Sequence, residues 1–372
     1  MRPLTVVQVL PALDAGGVER STLEIAAALV AAGHRAIVVS GGGRLEAALA
    51  SHGAVHVTLP IGHKSPFTFR HAPALRAILR ELGADIVHAR SRMPAWVMLA
   101  ALRGMHPRPR VVTTVHGLNS PGRYSQVMLR GERVICVSQT VRDYVLEHYP
   151  RTDRGRLVVI PRGIDPATFA HRAETESDRS RRAAFVAAHP QLAGGPLLLM
   201  PARGTRLKGH AHALELLARL RAGGLDARLL LAGVVQAGRE RYLRELADMA
   251  AARGVGMAVA FAEPVANMRE LYAWSDLVLQ LSDKPEAFGR TVVESLCSGR
   301  PVLGWNHGGV GELLRELFPP GAVPLGDADA LEERARALLA APRPAIRLPD
   351  RYTLARMQAE TLALYDELVR SA

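Results

Sequence analysis

Along this chain, apolar residues gather in short runs, each followed by a polar or glycine-bearing turn and then a stretch of helical periodicity. Such runs stand at Leu4–Leu10, Ala36–Ser40, Ala54–Leu59, Asp85–Ala89, Val111–Val115 and Arg133–Val137. A second series follows at Pro196–Met200, Leu229–Gly233, Val259–Ala262, Leu277–Leu281 and Pro301–Trp305. A run without alternation predicts a strand buried on both faces, as in a parallel sheet covered by helices. Between the runs lie amphipathic stretches such as Thr22–Ala32, closed by Gly33. Strand and helix thus alternate from end to end, which predicts an α/β fold of doubly wound sheets. His171–Arg182 is polar and charged and reads as a surface excursion, whereas Arg351–Val369 reads as a terminal helix.

The length of 372 residues favours two domains, each able to bury a core of its own. Gly163-Ile164-Asp165-Pro166 separates the two series and has hinge chemistry, with a permissive glycine and a proline that stops continuation. The expected division is 1–165, 166–350 and a final helix over 351–372. Charge sharpens it: the net charge is +12, of which residues 1–165 carry +10 and the remainder +2. A basic first domain suits an anionic partner such as a membrane surface, a phosphorylated acceptor or a nucleic acid. The two cysteines, Cys136 and Cys297, sit in apolar runs and offer neither a disulfide framework nor metal spacing. With no signal peptide and no apolar run near 18 residues, a cytoplasmic protein is expected.

The densest candidate chemistry is Asp283–Gly299, DKPEAFGRTVVESLCSG. Apolar Ala287, Phe288, Val292, Val293 and Leu296 predict a helix from Ala287, closed by Gly299 and Pro301. Glu286 then lies just ahead of the helix and Glu294 inside it, about 12 Å away on nearly the same face. Between them the opening amides around Phe288, Gly289 and Arg290 would favour phosphate. The spacing fits a ligand with hydroxyls at both ends and an anionic middle; dipole compensation and a solvated face would give the same two glutamates. Arg203 and Lys208, in the loop after Pro196–Met200, could clamp a diphosphate. Gly16-Gly17 follows the first strand, as a phosphate loop or merely a tight turn. Other strand ends offer Arg90 and Arg92, for an anionic acceptor or merely for solvent, and His116, as a ligand contact or a structural histidine. Ser138 reads as a helix N-cap, and the glycines of Asn306–Glu312 read as turn chemistry.

The stretch EAFGRTVVESLCSGRPVLGW resembles the signature of family 4 glycosyltransferases, retaining enzymes of the two-domain GT-B fold. PARGTRLK resembles their G-R-x4-K segment, with Ala202 for the usual glycine, and IPRGID their IPNGID link, with Arg162 for asparagine. The resemblance spans about residues 4–370 and implies two Rossmann-like domains facing each other across a cleft. It further implies that Glu286 meets the donor sugar, Glu294 the ribose, and Arg203 and Lys208 the diphosphate. Gly16 and Gly17 are implied beside donor and acceptor, with Glu19 and Arg20 as weaker neighbours, and Gly233 near the nucleotide. His116 is implied near the donor sugar; the aspartate that often follows it is Gly117 here. Arg123 falls in an acceptor-side loop. The blocks HARSR and GGVERSTLEIAAALVAAGHRAIVVSGGGRL are further similar to lipopolysaccharide-core enzymes of the family.

The expected activity is therefore metal-independent, retaining transfer from a UDP-, GDP- or ADP-sugar to a hydroxyl of a glycan or lipid-linked acceptor. The enzyme is expected at the cytoplasmic face of the inner membrane, with no cofactor and no nucleic-acid partner. Two rivals stand beside it. A GT-B sugar-nucleotide epimerase would share the fold but need carboxylates poised for proton transfer. A non-catalytic nucleic-acid or anionic-surface binder would use the basic first domain, although aromatic residues make up only 5% of the chain.

Overall fold

The computed structural model describes residues 2–14, 16–170, 172, 175–265 and 267–371. The chain divides into two compact units, the first comprising residues 1–163 with 354–372 and the second residues 164–353.

The first unit is built on β1 (Thr5–Val9), β2 (Arg35–Ser40), β3 (Val55–Thr58), β4 (Ile86–Ala89), β5 (Arg110–Val115), β6 (Arg133–Cys136) and β7 (Leu157–Val159). Their order is β3-β2-β1-β4-β5-β6-β7 and every pairing is parallel; Val6, for instance, lies opposite Ala36 on one side and Ile86 on the other. Every residue of β1 is buried, as a run clothed by helices on both faces requires. Val6, Leu10, Ile25 and Leu29 share a core with Met357, Leu364, Tyr365 and Leu368 of the helix Leu354–Arg370. That apolar stripe assigns the end of the chain to the first unit.

The second unit contains β8 (Leu197–Pro201), β9 (Arg228–Ala232), β10 (Val259–Ala262), β11 (Leu277–Gln280), β12 (Val302–Trp305) and β13 (Ala322–Val323), again all parallel, in the order β10-β9-β8-β11-β12-β13. Each sheet reverses its winding once, between β1 and β4 and between β8 and β11. At such a reversal the helices leave to opposite faces, and the loops at the carboxyl ends of the two strands leave a crevice.

Three local expectations shift. The helix expected from Ala287 starts at Arg290, because Gly289 has φ 122°, outside the helical region. The helix expected from Thr22 starts at Gly17. His171–Arg182 is in part ordered as helix, since Thr175 and Asp178 form a reciprocal capping box that opens Glu176–Ala188; His171, Ala173 and Glu174 lie outside the described residues. Among the described residues, no helix is long and apolar enough to cross a membrane.

Candidate active site

In the second unit, β8 and β11 flank the winding reversal and their following loops are stitched together. The loop after β8 turns at Arg206–Lys208 and reaches Gly209, whose φ is 76° and whose missing Cβ would lie 1.8 Å from the Leu281 carbonyl oxygen. Only glycine fits there. The Asp283 amide donates back to the Leu207 carbonyl at 3.0 Å. This close approach brings together two residues picked independently from the sequence: Lys208 Nζ donates to Glu286 Oε1 at 2.6 Å. Ser282 Oγ donates to the same oxygen at 2.5 Å, and the Glu286 carbonyl accepts from the Gly309 amide at 2.7 Å. Both ends of Glu286 are therefore fixed. Lys208 and Glu286 keep about a quarter of their side-chain surface (24% and 22%), enough for a ligand to reach them.

Arg203 is exposed in the same loop, and no ion pair is recorded for it among the described residues. Gly233 directly follows β9 with φ 90° and packs beside the Ala202 carbonyl. Glu294 is only 6% exposed, accepts from Tyr272 Oη at 2.9 Å and faces Arg290 Nε at 3.4 Å. A buried carboxylate needs such partners. Because the helix begins at Arg290, Glu294 stands in its second turn, one turn shallower than the helix from Ala287 implied. Phe288 is buried, with its ring 6.1 Å from that of Tyr352, so only its backbone can serve a ligand.

In the first unit, Gly16 caps the helix Gly17–Ala31 with φ 147° and no side-chain bond, while Gly17 is exposed with open space around its missing Cβ. Glu19 is half-buried in the first helical turn, and Arg20 pairs with Glu24 at 3.2 Å. Arg90 departs from its expected role. Its side chain is not an exposed fork for an acceptor: the residue is 2% exposed and donates to Ser21 Oγ at 2.7 Å, and burial lowers its pKa to about 10. A guanidinium set inside the fold positions neighbours. Arg92 stays partly accessible, 5.2 Å over the Tyr124 ring and 3.3 Å from Ser125 Oγ, and Arg123 is exposed.

His116 follows β5 and meets Arg162, whose Nη2 lies 2.5 Å from His116 Nδ1. Burial above all, then the charges of Arg162 and Arg90 and nearby His88, hold the His116 pKa well below the usual histidine range. His88 bonds Tyr365 Oη at 2.6 Å and Thr114 Oγ1 at 2.7 Å.

Sequence reasoning missed Ser21, Tyr272, Ser282 and Tyr365, and took Arg162 only as a departure from a motif. Ser282 had a signal, its place directly after a strand; Tyr272 sits in the short helix Met268–Trp274 with none. It also took the chain to lack an Asp-x-Asp metal motif, whereas Asp327-Ala328-Asp329 is such a triplet. Asp327 caps a helix through the Ala330 amide at 2.9 Å, and Asp329 pairs with Arg219 at 2.6 Å. Among the described residues, no group of three or more His, Cys, Asp or Glu is placed to hold a metal.

Two family profiles match the chain: Glycosyltransferase Family 4 over residues 15–168 and Glycosyl transferases group 1 over residues 183–352. A GDP-mannose-dependent alpha-(1-6)-phosphatidylinositol dimannoside mannosyltransferase of Mycobacterium tuberculosis is 27% identical over 314 residues, covering 77% of this chain and 75% of that protein. A glycosyltransferase from Rickettsia africae superposes over 100% of both chains with a TM-score of 0.83 and 26% identity. The Anabaena protein HepE, solved with UDP and glucose, superposes over 98% of this chain and 100% of its own with a TM-score of 0.77 and 19% identity.

Proposed function

The chain belongs to the family 4 glycosyltransferases of the GT-B fold, and from that premise we propose that it transfers a sugar, with retention and without a metal ion, from a nucleotide-diphospho-sugar to a hydroxyl of a cell-surface glycan. What supports this reading is the cluster at the β8/β11 reversal, where Lys208 and Glu286 meet at 2.6 Å beside exposed Arg203. A sugar joined to a diphosphate asks for cations beside a carboxylate that accepts from hydroxyls. Arg203 and Lys208, with the amides opening Arg290–Cys297, bind the diphosphate and stabilise the charge that grows as it leaves. Glu286 accepts from hydroxyls of the sugar, and Glu294 from those of the ribose. As the bond from the anomeric carbon to the β-phosphate oxygen breaks, the acceptor oxygen bonds to that carbon from the same face. Its proton passes to the departing phosphate.

The acceptor is of the lipopolysaccharide-core kind, reached at the inner face of a membrane. Supporting membrane contact, Phe67 is 79% exposed between Lys64 and Arg70, an aromatic side chain set among cations in the basic unit. Phe67→Ser should weaken sedimentation with anionic vesicles, and rising salt should weaken it further; unchanged binding in both tests contradicts this part.

A thermal-shift and product screen of UDP, GDP and ADP sugars tests the enzyme reading. One nucleotide should raise the melting temperature by binding the folded state, and its sugar should be slowly hydrolysed. Epimerisation of a nucleotide-sugar without acceptor, or no response to any nucleotide, overturns it.

A further inference from the structure

We propose that the second unit carries a separate anion site, for a phosphorylated small molecule, at the opposite edge of its sheet from the Lys208–Glu286 cluster. The site stands apart from the function proposed above; its effect on donor binding rests on that function.

A cavity of about 340 Å³ is lined by Arg172, Arg182, Arg269, Arg300 and Arg343 against two acids, Asp178 and Glu270. Both acids are already engaged. Asp178 accepts from Arg172 at 3.3 Å and from Arg181 at 2.5 Å, and Glu270 faces Arg181 Nε at 2.8 Å. Arg343 lies 3.5 Å from Asp276, a long contact for an ion pair. For exposed Arg182 and half-buried Arg269 no ion pair is recorded among the described residues. Guanidiniums gathered in one recess repel one another unless an anion answers them. Their forks match phosphate oxygens two at a time, and the volume is at the small end of ligand sites. A phosphate bearing a sugar or a second phosphate suits both charge and size.

Helix ends form the walls. Trp274 closes the helix Met268–Trp274, with its ring 5.4 Å from that of Phe185 in Glu176–Ala188. Ser298 and Arg300 follow the helix Arg290–Cys297; Ser298 Oγ donates to the Phe169 carbonyl at 2.9 Å, and buried Arg300 donates through Nη2 to the Ala273 carbonyl. Helix carboxyl ends by themselves would repel an anion. Arg300 covers one of these carbonyls.

The same two helices reach the donor cluster. Trp274 and Arg300 stand just before β11 and β12, whereas Ser282 and Glu286 follow β11. Arg290–Cys297 runs between the two edges, about 12 Å in its eight residues. Glu294 in that helix accepts from Tyr272 Oη at 2.9 Å, and the next residue after Tyr272 is Ala273, whose carbonyl Arg300 holds. An anion bound by Arg269 and Arg300 therefore steadies Met268–Trp274, and with it the bond from Tyr272 to Glu294.

The test is calorimetric titration of the full chain with inorganic pyrophosphate, comparing wild type, Lys208→Met and Arg182→Gln/Arg269→Gln. Folding of each variant is checked by its melting transition; should the pair not fold, Arg343→Gln at an exposed position takes its place. Pyrophosphate should bind wild type and Lys208→Met alike, and the arginine variant about ten- to a hundredfold more weakly. Binding that is lost in Lys208→Met and kept in the arginine variant, or no binding to wild type, overturns the site. With pyrophosphate present, the nucleotide found in the screen above should bind wild type at least about fivefold more tightly than the arginine variant. Competition at the donor cluster is common to both proteins and cancels. Equal affinities overturn the coupling; if no nucleotide binds either protein, it is the enzyme reading that has failed, and the pyrophosphate titration alone decides the site.

Discussion

Replacing Lys208 by Met and Glu286 by Gln, singly and together, separates a structural ion pair from two catalytic groups. The pair is a charge-assisted bond of 2.6 Å between side chains about three-quarters buried (24% and 22% exposed). Such a bond contributes about 1–2 kcal/mol after partial screening. In denaturant unfolding, the double variant should therefore be more stable than the sum of the single losses implies, by roughly that coupling energy. Catalysis should behave differently. If Lys208 meets the diphosphate and Glu286 the sugar, each acts on a separate part of the transition state, and each loss costs about 10²–10³ in kcat. The double variant should then be slower than either single one by a further factor of at least about ten. The assay is steady-state transfer, with donor hydrolysis as the acceptor-free control. A double variant no slower than the slower single one would refute the reasoning, since the two groups would then matter only through each other.

Gly209→Ala should destabilise the second unit by at least about 3 kcal/mol, from backbone strain plus the overlap with the Leu281 carbonyl. Gly224→Ala, at φ 84° but with no heavy atom within 4 Å of the new Cβ, should cost only about 1 kcal/mol, read from urea midpoints. Burial holds the His210 pKa down to about 4 from 6.5, so the unfolded chain binds the proton more tightly. Its contribution to stability is fully present above pH 6.5 and is lost as the pH falls to about 4, a total of about 3 kcal/mol; His210→Asn should flatten that slope in unfolding measured from about pH 7 to about pH 4.5. Tyr272→Phe should lower stability by about 1.5–3 kcal/mol by removing a donor from buried Glu294, and calorimetry should show weaker nucleotide binding.

Much of the fold was legible because parallel strands buried on both faces leave unbroken apolar runs, and Val259–Ala262 stands as the sequence placed it. β13, of two residues, is too short to leave such a run. The start of Arg290–Cys297 escaped for a different reason. Ala287 and Phe288 continue the helical spacing of apolar residues, but Phe288 packs toward Tyr352, and Gly289 then turns the backbone out of the helical region.

Arg203, Lys208, Glu286 and His116 were legible as residue types at strand ends, and the sequence by itself determined those positions through local periodicity and turn chemistry. Their partners were decided only by the tertiary structure. Lys208 finds Glu286 across 78 positions because the order β8-β11 makes neighbours of strands far apart in sequence, and Gly209 lets the two loops touch. Arg162 finds His116 across 46 positions, and Arg90 turns inward to Ser21, because the ends of parallel strands converge on one edge of the sheet. Periodicity is a property of neighbours along the chain; which cation meets which carboxylate or imidazole is a property of strand order, and no local pattern carries it.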